Sequence, residues 1–220
     1  MSEVHSKRSD LSVIESERLG SGNVARATWR NGRPRSDEVE ERIRAAAREL
    51  LASAGYGSMS FEAISQATGV SRSTIYRRWQ TRGELAADLL GDFPLKEIKF
   101  DQSVTVRLQI ERFIRTIYLW NKRPFVIAAI SGLSSEGGPD NAKSINLVRR
   151  VDQTAREHFS VTFEAMKEAG LIRGIINPKT IYDMITGMVY TSLYWHRDAF
   201  FDDDGLVEQI TNVICDGILP

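Results

Sequence analysis

The 220-residue chain lacks the marks of several large protein classes. It has one cysteine, Cys215, so no internal disulfide framework can hold it together, which fits a reducing cytoplasm. Its three histidines, at positions 5, 158 and 196, show no H-x-x-x-H or H-E-x-x-H spacing, and no metal site is expected. GxxxxGK(S/T), GxGxxG and GxSxG are all missing, so neither a phosphate-cradling loop nor a nucleophile elbow is expected. Cys215 has no base near it in sequence, and Asp202, Asp203 and Asp204 are followed by no EF-hand pattern. Catalysis and a cofactor are therefore not expected. No stretch approaches the roughly 18 apolar residues of a membrane span, and the N-terminus has no apolar core of a secretory signal. Net charge is absent too: 29 basic residues balance 29 acidic ones, so any affinity for a polyanion must lie in local charge. Only six prolines and no alternating apolar runs point to an all-α chain, and 42% hydrophobic residues suffice for a core.

What is there centres on Ser60–Leu90. Phe61, Ile64 and Ala67 recur at spacing 3, the pattern of a short helix opened by Ser58 or Ser60 and closed by Gly69. A second helix follows at once. Ser71 suits its N-cap, with Val70 and Ile75 placed as a hydrophobic staple. Two short helices across so tight a turn have the spacing of a helix-turn-helix. With Ile75 inward, Trp79 falls about 40° away, while Ser73 and Arg77 fall roughly 160° away and Thr74 and Tyr76 flank them. The outward face thus carries hydroxyls, a phenol and a guanidinium, groups that read base edges and grip phosphates. Gly69–Gly83 holds Arg72, Arg77, Arg78 and Arg82 and no acid. A basic run is usually only a solvated face; here it coincides with a polar outward helix, which favours DNA. Thr81-Arg82-Gly83-Glu84 forms a capping box for a third helix, whose N-terminus beside Arg82 suits a phosphate. Gly83 is expected to leave the amides open there.

Val39–Leu90 resembles the DNA-binding domain of the tetracycline-repressor (TetR) family of bacterial transcriptional regulators. The matching pieces, in order, are IRAAARELLASAGY, SFEAISQATGVS, RSTIYRRW and TRGEL. The family usually has lysine where Arg82 stands, which keeps the charge but not the chemistry. The resemblance implies a helix-turn-helix reader followed by a helical domain for ligand binding and dimerisation, in a regulator that is most often a repressor.

The chain divides into an extension (1–35), a DNA-binding domain (36–92) and a helical regulatory domain (93–220). The extension is polar and expected to be disordered, although Arg26, Arg30, Arg33 and Arg35 near its end resemble a basic arm that lies on DNA. Residues 1–90 carry 14 basic and 12 acidic residues, against 15 and 17 in the remainder, a slight bias of the right sign. The first domain helix is expected from Asp37 to Ala54, capped by Ser36 or Asp37, with an apolar stripe of Val39, Ile43, Ala46, Ala47, Leu50 and Leu51. Arg78 leans inward and is expected to pair with a carboxylate of that helix. Ser60, Tyr76 and Arg82 are the expected phosphate contacts, and Ser71, Arg72, Ser73, Thr74 and Arg77 the remaining DNA contacts, with Arg33 and Arg35 from the arm.

Long helices follow: Val104–Asn121, one starting at Pro124, one from Asp140 or Asn141 to Ala169, one from Pro178 toward Trp195, and Leu206–Gly217 after a loop at Phe200–Gly205. Phe113, Trp120, Phe125, Phe159, Phe163, Tyr190 and Tyr194 could line a pocket, with Asn121, His158, Tyr190 and His196 as polar groups, although aromatics at helical spacing more often fill a core. By family analogy the effector is a small apolar or aromatic molecule. In the family the last two helices form a four-helix bundle across a two-fold axis. Here Ile181, Ile185, Met188 and Ser192, and Leu206, Ile210, Val213 and Ile214, would supply that homodimer interface. A single recognition helix contacts too few base pairs for specificity; two, about 34 Å apart, read a palindrome on double-stranded DNA. The rival reading is a helical small-molecule-binding or protein-interaction module whose helix-turn-helix no longer reads DNA.

Overall fold

The computed structural model describes residues 34–94, 99–135, 139–195 and 203–219, and among them every regular element is a helix. In chain order these are α1 (Pro34–Ala54), α2 (Phe61–Thr68), α3 (Arg72–Tyr76), α4 (Arg82–Leu90), α5 (Val106–Asn121), α6 (Pro124–Ser135), α7 (Pro139–Glu168), α8 (Pro178–Tyr194) and α9 (Asp203–Ile218). A 3-10 turn, Tyr56–Ser58, links α1 to α2.

Local chemistry sets most boundaries. Ser60, Ser71, Thr81 and Thr105 cap α2, α3, α4 and α5, each side-chain oxygen accepting a backbone N–H three residues on. Gly69, at φ 68°, takes the left-handed conformation that ends α2. Several expected boundaries move. α1 begins at Pro34, whose missing N–H would have no helical partner there in any case. Ser36 and Asp37 therefore lie inside the first turn instead of capping it, and Arg35 belongs to the helix. α5 starts at Val106 because Thr105 is the cap, not at Val104. Asp203, Asp204 and Gly205 are the first residues of α9 rather than loop. The Asp204 carboxylate suits a helix N-terminus and accepts from Arg115 Nη1 at 2.6 Å. Ala67 is exposed, because a spacing of 3 drifts around the helix and only Phe61 and Ile64 reach the core. Arg33 and His196 lie outside the described residues.

Two cores organise the chain. One joins Ile43, Ala47 and Leu51 of α1 to Ile64, Ile75, Trp79 and the buried residues of α4. It does not close on itself: Trp120 of α5 and Phe125, Val126, Ala129 and Leu133 of α6 complete it. The α1–α4 unit is thus packed onto the helical domain through α6, a relationship no pattern within α1–α4 shows. Tyr56 makes this packing intimate. A Cβ built on Gly132 of α6 would lie 2.0 Å from Tyr56 Cγ, so the ring fills the space the glycine leaves. The second core gathers α5, α7, α8 and α9 around Phe113, Ile114, Phe159, Phe163, Ile185 and Ile210, with Cys215 wholly buried among them.

α4 connects the two by lying against α7. A Cβ on Gly83 would come within 2.3 Å of Ser144 Oγ, and both residues are buried. Gly83 is therefore a helix-contact residue and does not present open amides.

Candidate nucleic-acid interface and effector cavity

α3 is held by one side and offers the other. Ile75 is 0% exposed and Trp79 6%, while Val70 is buried opposite Ile75 as the staple requires. Backbone bonds from Arg77, Arg78 and Trp79 back to Ser73 and Ile75 continue the helical path past Tyr76. Ser71, Arg72, Ser73, Tyr76 and Arg77 are all exposed and Thr74 half-exposed. Ser71 Oγ lies 3.0 Å from Ser73 Oγ and 2.9 Å from Thr74 Oγ1, so the three hydroxyls form one small polar cluster at the helix start. Tyr76 stays 55% exposed yet meets Phe61 edge to face, with centroids 4.8 Å apart, which fixes where its hydroxyl points. Ser60 is exposed at the start of α2.

The arginines separate by environment. Arg77 is exposed on the outer face. Arg78 turns back to α1, where Nη2 donates to Ser36 Oγ at 2.6 Å and lies 3.3 Å from Glu40 Oε2. Arg82 is half-buried and stacks its guanidinium 4.7 Å over the Tyr56 ring. The Thr81–Glu84 cap also differs in detail from a capping box. Thr81 Oγ1 accepts from Glu84 N, but Glu84 Oε2 accepts from Gln80 N at 2.7 Å, one residue ahead of the cap.

A set of ion pairs fixes the pose of this head on α4, and sequence spacing did not reveal it. Arg44 of α1 donates to Asp88 and, at 2.5 Å, to Asp92; Arg48 donates to Asp92 and Glu41, each at 2.7 Å. Trp79 Nε1 donates to Asp88 Oδ2 at 3.2 Å. Burial opposes the Asp92 charge and is the largest single influence. The hydrogen bonds and charges of Arg44 and Arg48 together outweigh it and hold the carboxyl below its ordinary value. The i, i+4 spacing of Arg44 and Arg48, and of Asp88 and Asp92, was the available signal, but only the fold says that the two pairs face each other.

The helical domain encloses a cavity of about 470 Å³ between α5 and α7, within the range of small-molecule sites. Phe113, Phe159 and Phe163 meet there, with Phe113 and Phe159 centroids 4.3 Å apart. Lys99, Asp101, Gln109, Arg112, His158 and Thr162 add charged and polar groups to a wall whose remaining residues are apolar. The other expected pocket aromatics lie elsewhere. Trp120 and Phe125 pack together in the head-side core, 5.8 Å apart, because α6 folds back against α1. Tyr190 and Tyr194 meet along α8 with their rings tilted and their centroids 5.6 Å apart. Asn121 is buried and donates to the Ile117 carbonyl. Tyr182, not singled out from the sequence, donates to Asp152 at 3.0 Å; burial first, and then that carboxylate, raise its phenol above its ordinary value.

The expected dimer stripe is largely internal. Ile181, Ile185, Ile210 and Ile214 are buried in the chain's own core, and Met188, Ser192 and Leu206 are half-buried. Val213 is 57% exposed. An apolar stripe cannot say whether it meets its own domain or a second copy. Here α5 and α7 take the stripe, leaving outside a face with Met184 and Thr191 of α8 and Gln209 and Val213 of α9. Among the described residues no group of acids, histidines and cysteines is arranged to hold a metal, and no helix is long and apolar enough to cross a membrane.

Residues 43–89 match the model of the bacterial regulatory proteins, tetR family. No curated protein sequence matches the chain. Among solved structures, NalD of Pseudomonas aeruginosa, the secondary repressor of the MexAB-OprM multidrug efflux pump, superposes with a TM-score of 0.62 at 18% identity, over 84% of this chain and 98% of that one. The TetR family transcription regulator SCO0332 gives 0.61 at 24%, over 83% and 100%. FadR of Bacillus subtilis, solved with stearoyl-CoA, gives 0.63 at 16%, over 81% and 98%. At these identities the likeness is one of fold.

Proposed function

We propose, for a chain whose residues 43–89 are a TetR-type DNA-binding domain, that it is a dimeric transcriptional repressor released from a palindromic operator by a small effector. The observation that carries the reading is the two-sidedness of α3. Its apolar residues are locked into the head core, and its hydroxyls, phenol and guanidinium stand together in solvent. A helix kept only for packing has no need of an exposed tyrosine braced by Phe61. On DNA, Arg77 with Ser73 and Thr74 enters the major groove; Ser60, Tyr76, Arg72 and the Ser71 end of the helix meet the backbone. Arg78 serves α1 and does not touch bases.

The cavity lined by Phe113, Phe159 and Phe163 is the effector seat, and its walls suit an apolar molecule with one or two polar groups. Since α7 forms part of that wall and also packs on α4, a shift of α7 reaches the head through Gly83, Asp88 and Asp92. Two copies pair through the outer face of α8 and α9, at Met184, Thr191 and Val213.

Selection of bound sites from random double-stranded DNA tests the reading. The expected result is a pseudo-palindrome whose half-sites lie about one helical turn apart or a multiple of it. Enrichment of no sequence over the starting pool would instead favour a module that does not read DNA.

A further inference from the structure

One face of α7 lines three adjoining hollows. The apolar cavity of about 470 Å³ takes the C-terminal part of the helix, around Phe159 and Phe163. His158 is shared with a cleft of about 560 Å³ between α4 and α7, floored by Ala87, Phe93, Leu147, Val151 and Ala155. Arg150 and Leu147 are in turn shared with an open groove of about 520 Å³ that adds Lys143 and Arg149. The shared residues recur at 147, 150 and 158, and the lining continues through 162 and 166, so a single helical stripe runs along all three. From Lys143 to Met166 it measures roughly 35 Å at 1.5 Å per residue.

Along α7 the stripe changes from Phe159, Phe163 and Met166 at one end to Lys143, Arg149 and Arg150 at the other, while Lys99, Asp101 and Arg112 stand on the facing wall of the first cavity. The two acids at the cationic end are engaged: Glu84 accepts from Gln80 N, and Asp88 accepts from Arg44 and Trp79. Lys143, Arg149 and Arg150 are exposed at the groove, and Arg149 makes a long 3.4 Å bond to Asn146 Oδ1. A guanidinium cluster of this kind favours a phosphate-like anion over a neutral head.

We infer that the three hollows form one seat for an elongated amphipathic anion, its apolar chain in the Phe159–Phe163 cavity and its charged head against Lys143, Arg149 and Arg150. This deepens the effector reading above and rests on it. The middle of such a ligand lies in the α4–α7 cleft, beside Trp79 and Asp88. It therefore touches the contacts that hold the reading head, without a relay through the core.

Calorimetric titration of the full chain with decanol, decyl phosphate and decanoyl-coenzyme A tests the inference. At least one of the two anions should bind about tenfold or more tightly than decanol, and the tighter of the two identifies the kind of head. Arg150→Glu, at an exposed position, should remove that advantage and leave decanol unchanged, and Lys143→Glu should act in the same direction. Equal binding of all three, or an anion preference that survives both charge reversals, would overturn the inference. Decanol tests the cavity by itself. If it does not bind, or if Thr162→Trp leaves its binding unaltered, the effector cavity is wrong and the inference falls with it. If decanol passes both checks and the anions gain nothing, only the head assignment fails.

Discussion

The indole Nε1 of Trp79 donates to Asp88 Oδ2 across 3.2 Å, and the same oxygen accepts from Arg44. One carboxylate on α4 thus joins Trp79, three residues past the end of α3, to the scaffold helix α1. Asp88→Ala leaves Arg44, which is 13% exposed, with fewer partners and the indole N–H with none at that oxygen. The expected cost is about 1–3 kcal/mol, the range for hydrogen bonds to charged groups. Asp88→Asn should cost less, since it keeps an acceptor for Trp79. Urea unfolding measures both, and an unshifted midpoint in the alanine variant would show the link to be incidental.

Asp92 carries a pH dependence. Its carboxyl is held below the ordinary range in the folded chain, so the unfolded chain takes up the proton first as pH falls. The associated stability is fully present above the unfolded value of about 4 and is lost as pH drops through the folded value. Asp92→Asn should therefore be less stable than the parent at pH 7, with a smaller fall between pH 5 and pH 3. Parallel loss in both proteins across that interval would contradict this.

Gly132 sets helix propensity against packing. Alanine in mid-helix normally gains about 1 kcal/mol over glycine. Here its Cβ would meet three atoms of Tyr56 at 2.0–2.5 Å, and Tyr56 is itself buried between α6 and α4. Overpacking of this kind costs about 1–3 kcal/mol or more, so Gly132→Ala should destabilise the chain on balance. A raised melting temperature would mean that Tyr56 has another place to go.

The arginines of the reading head should give different signatures on DNA. Arg77→Ala is expected to lose about 1–3 kcal/mol of specific affinity and to relax one operator position. Arg82→Ala, which removes the guanidinium stacked on Tyr56, should weaken all sequences alike and lower the salt slope by about one unit. Arg78→Ala should reduce stability through the lost Ser36 and Glu40 contacts and leave base preference intact. Binding titrations at several salt concentrations, on operator and scrambled DNA, separate the three.

Val213 and Ile214 are adjacent but should respond differently. Val213→Arg places a charge on an exposed face, so the fold should survive while the dimer weakens and palindrome binding falls. Ile214→Arg buries a charge where the side chain is 2% exposed and should unfold the chain. Sedimentation with circular dichroism tells dissociation from unfolding. A Val213→Arg protein that remains dimeric would remove α9's outer face from the proposed interface.

Much of the local structure was legible in the residues. Caps at Ser60, Ser71 and Thr81, the staple of Val70 and Ile75, and the inward lean of Arg78 are decided within a few residues, where short-range sterics and hydrogen bonds dominate. The outward set on α3 follows from helical periodicity once Ile75 is assigned to the core. The aromatic set was legible only in part. Periodicity separates buried from exposed but cannot say which of two cores an aromatic enters, so Trp120 at the end of α5 and Phe125 of α6 joined the core of α1–α4 while Phe113, Phe159 and Phe163 shaped the cavity.

The sequence by itself determined that the chain is helical, where each helix lies to within about a turn, and which side of α3 faces out, because these depend on neighbours one to four residues apart. Only the tertiary structure decided that α6 completes the core of the reading head, that Gly83 and Gly132 are contact points, and that Asp88 ties Trp79 to Arg44. It also turned the isoleucines of α8 and α9 inward, leaving Val213 outside. Those outcomes depend on which faces meet across dozens of residues of sequence, and an amphipathic stripe records only that a face is buried, not what buries it.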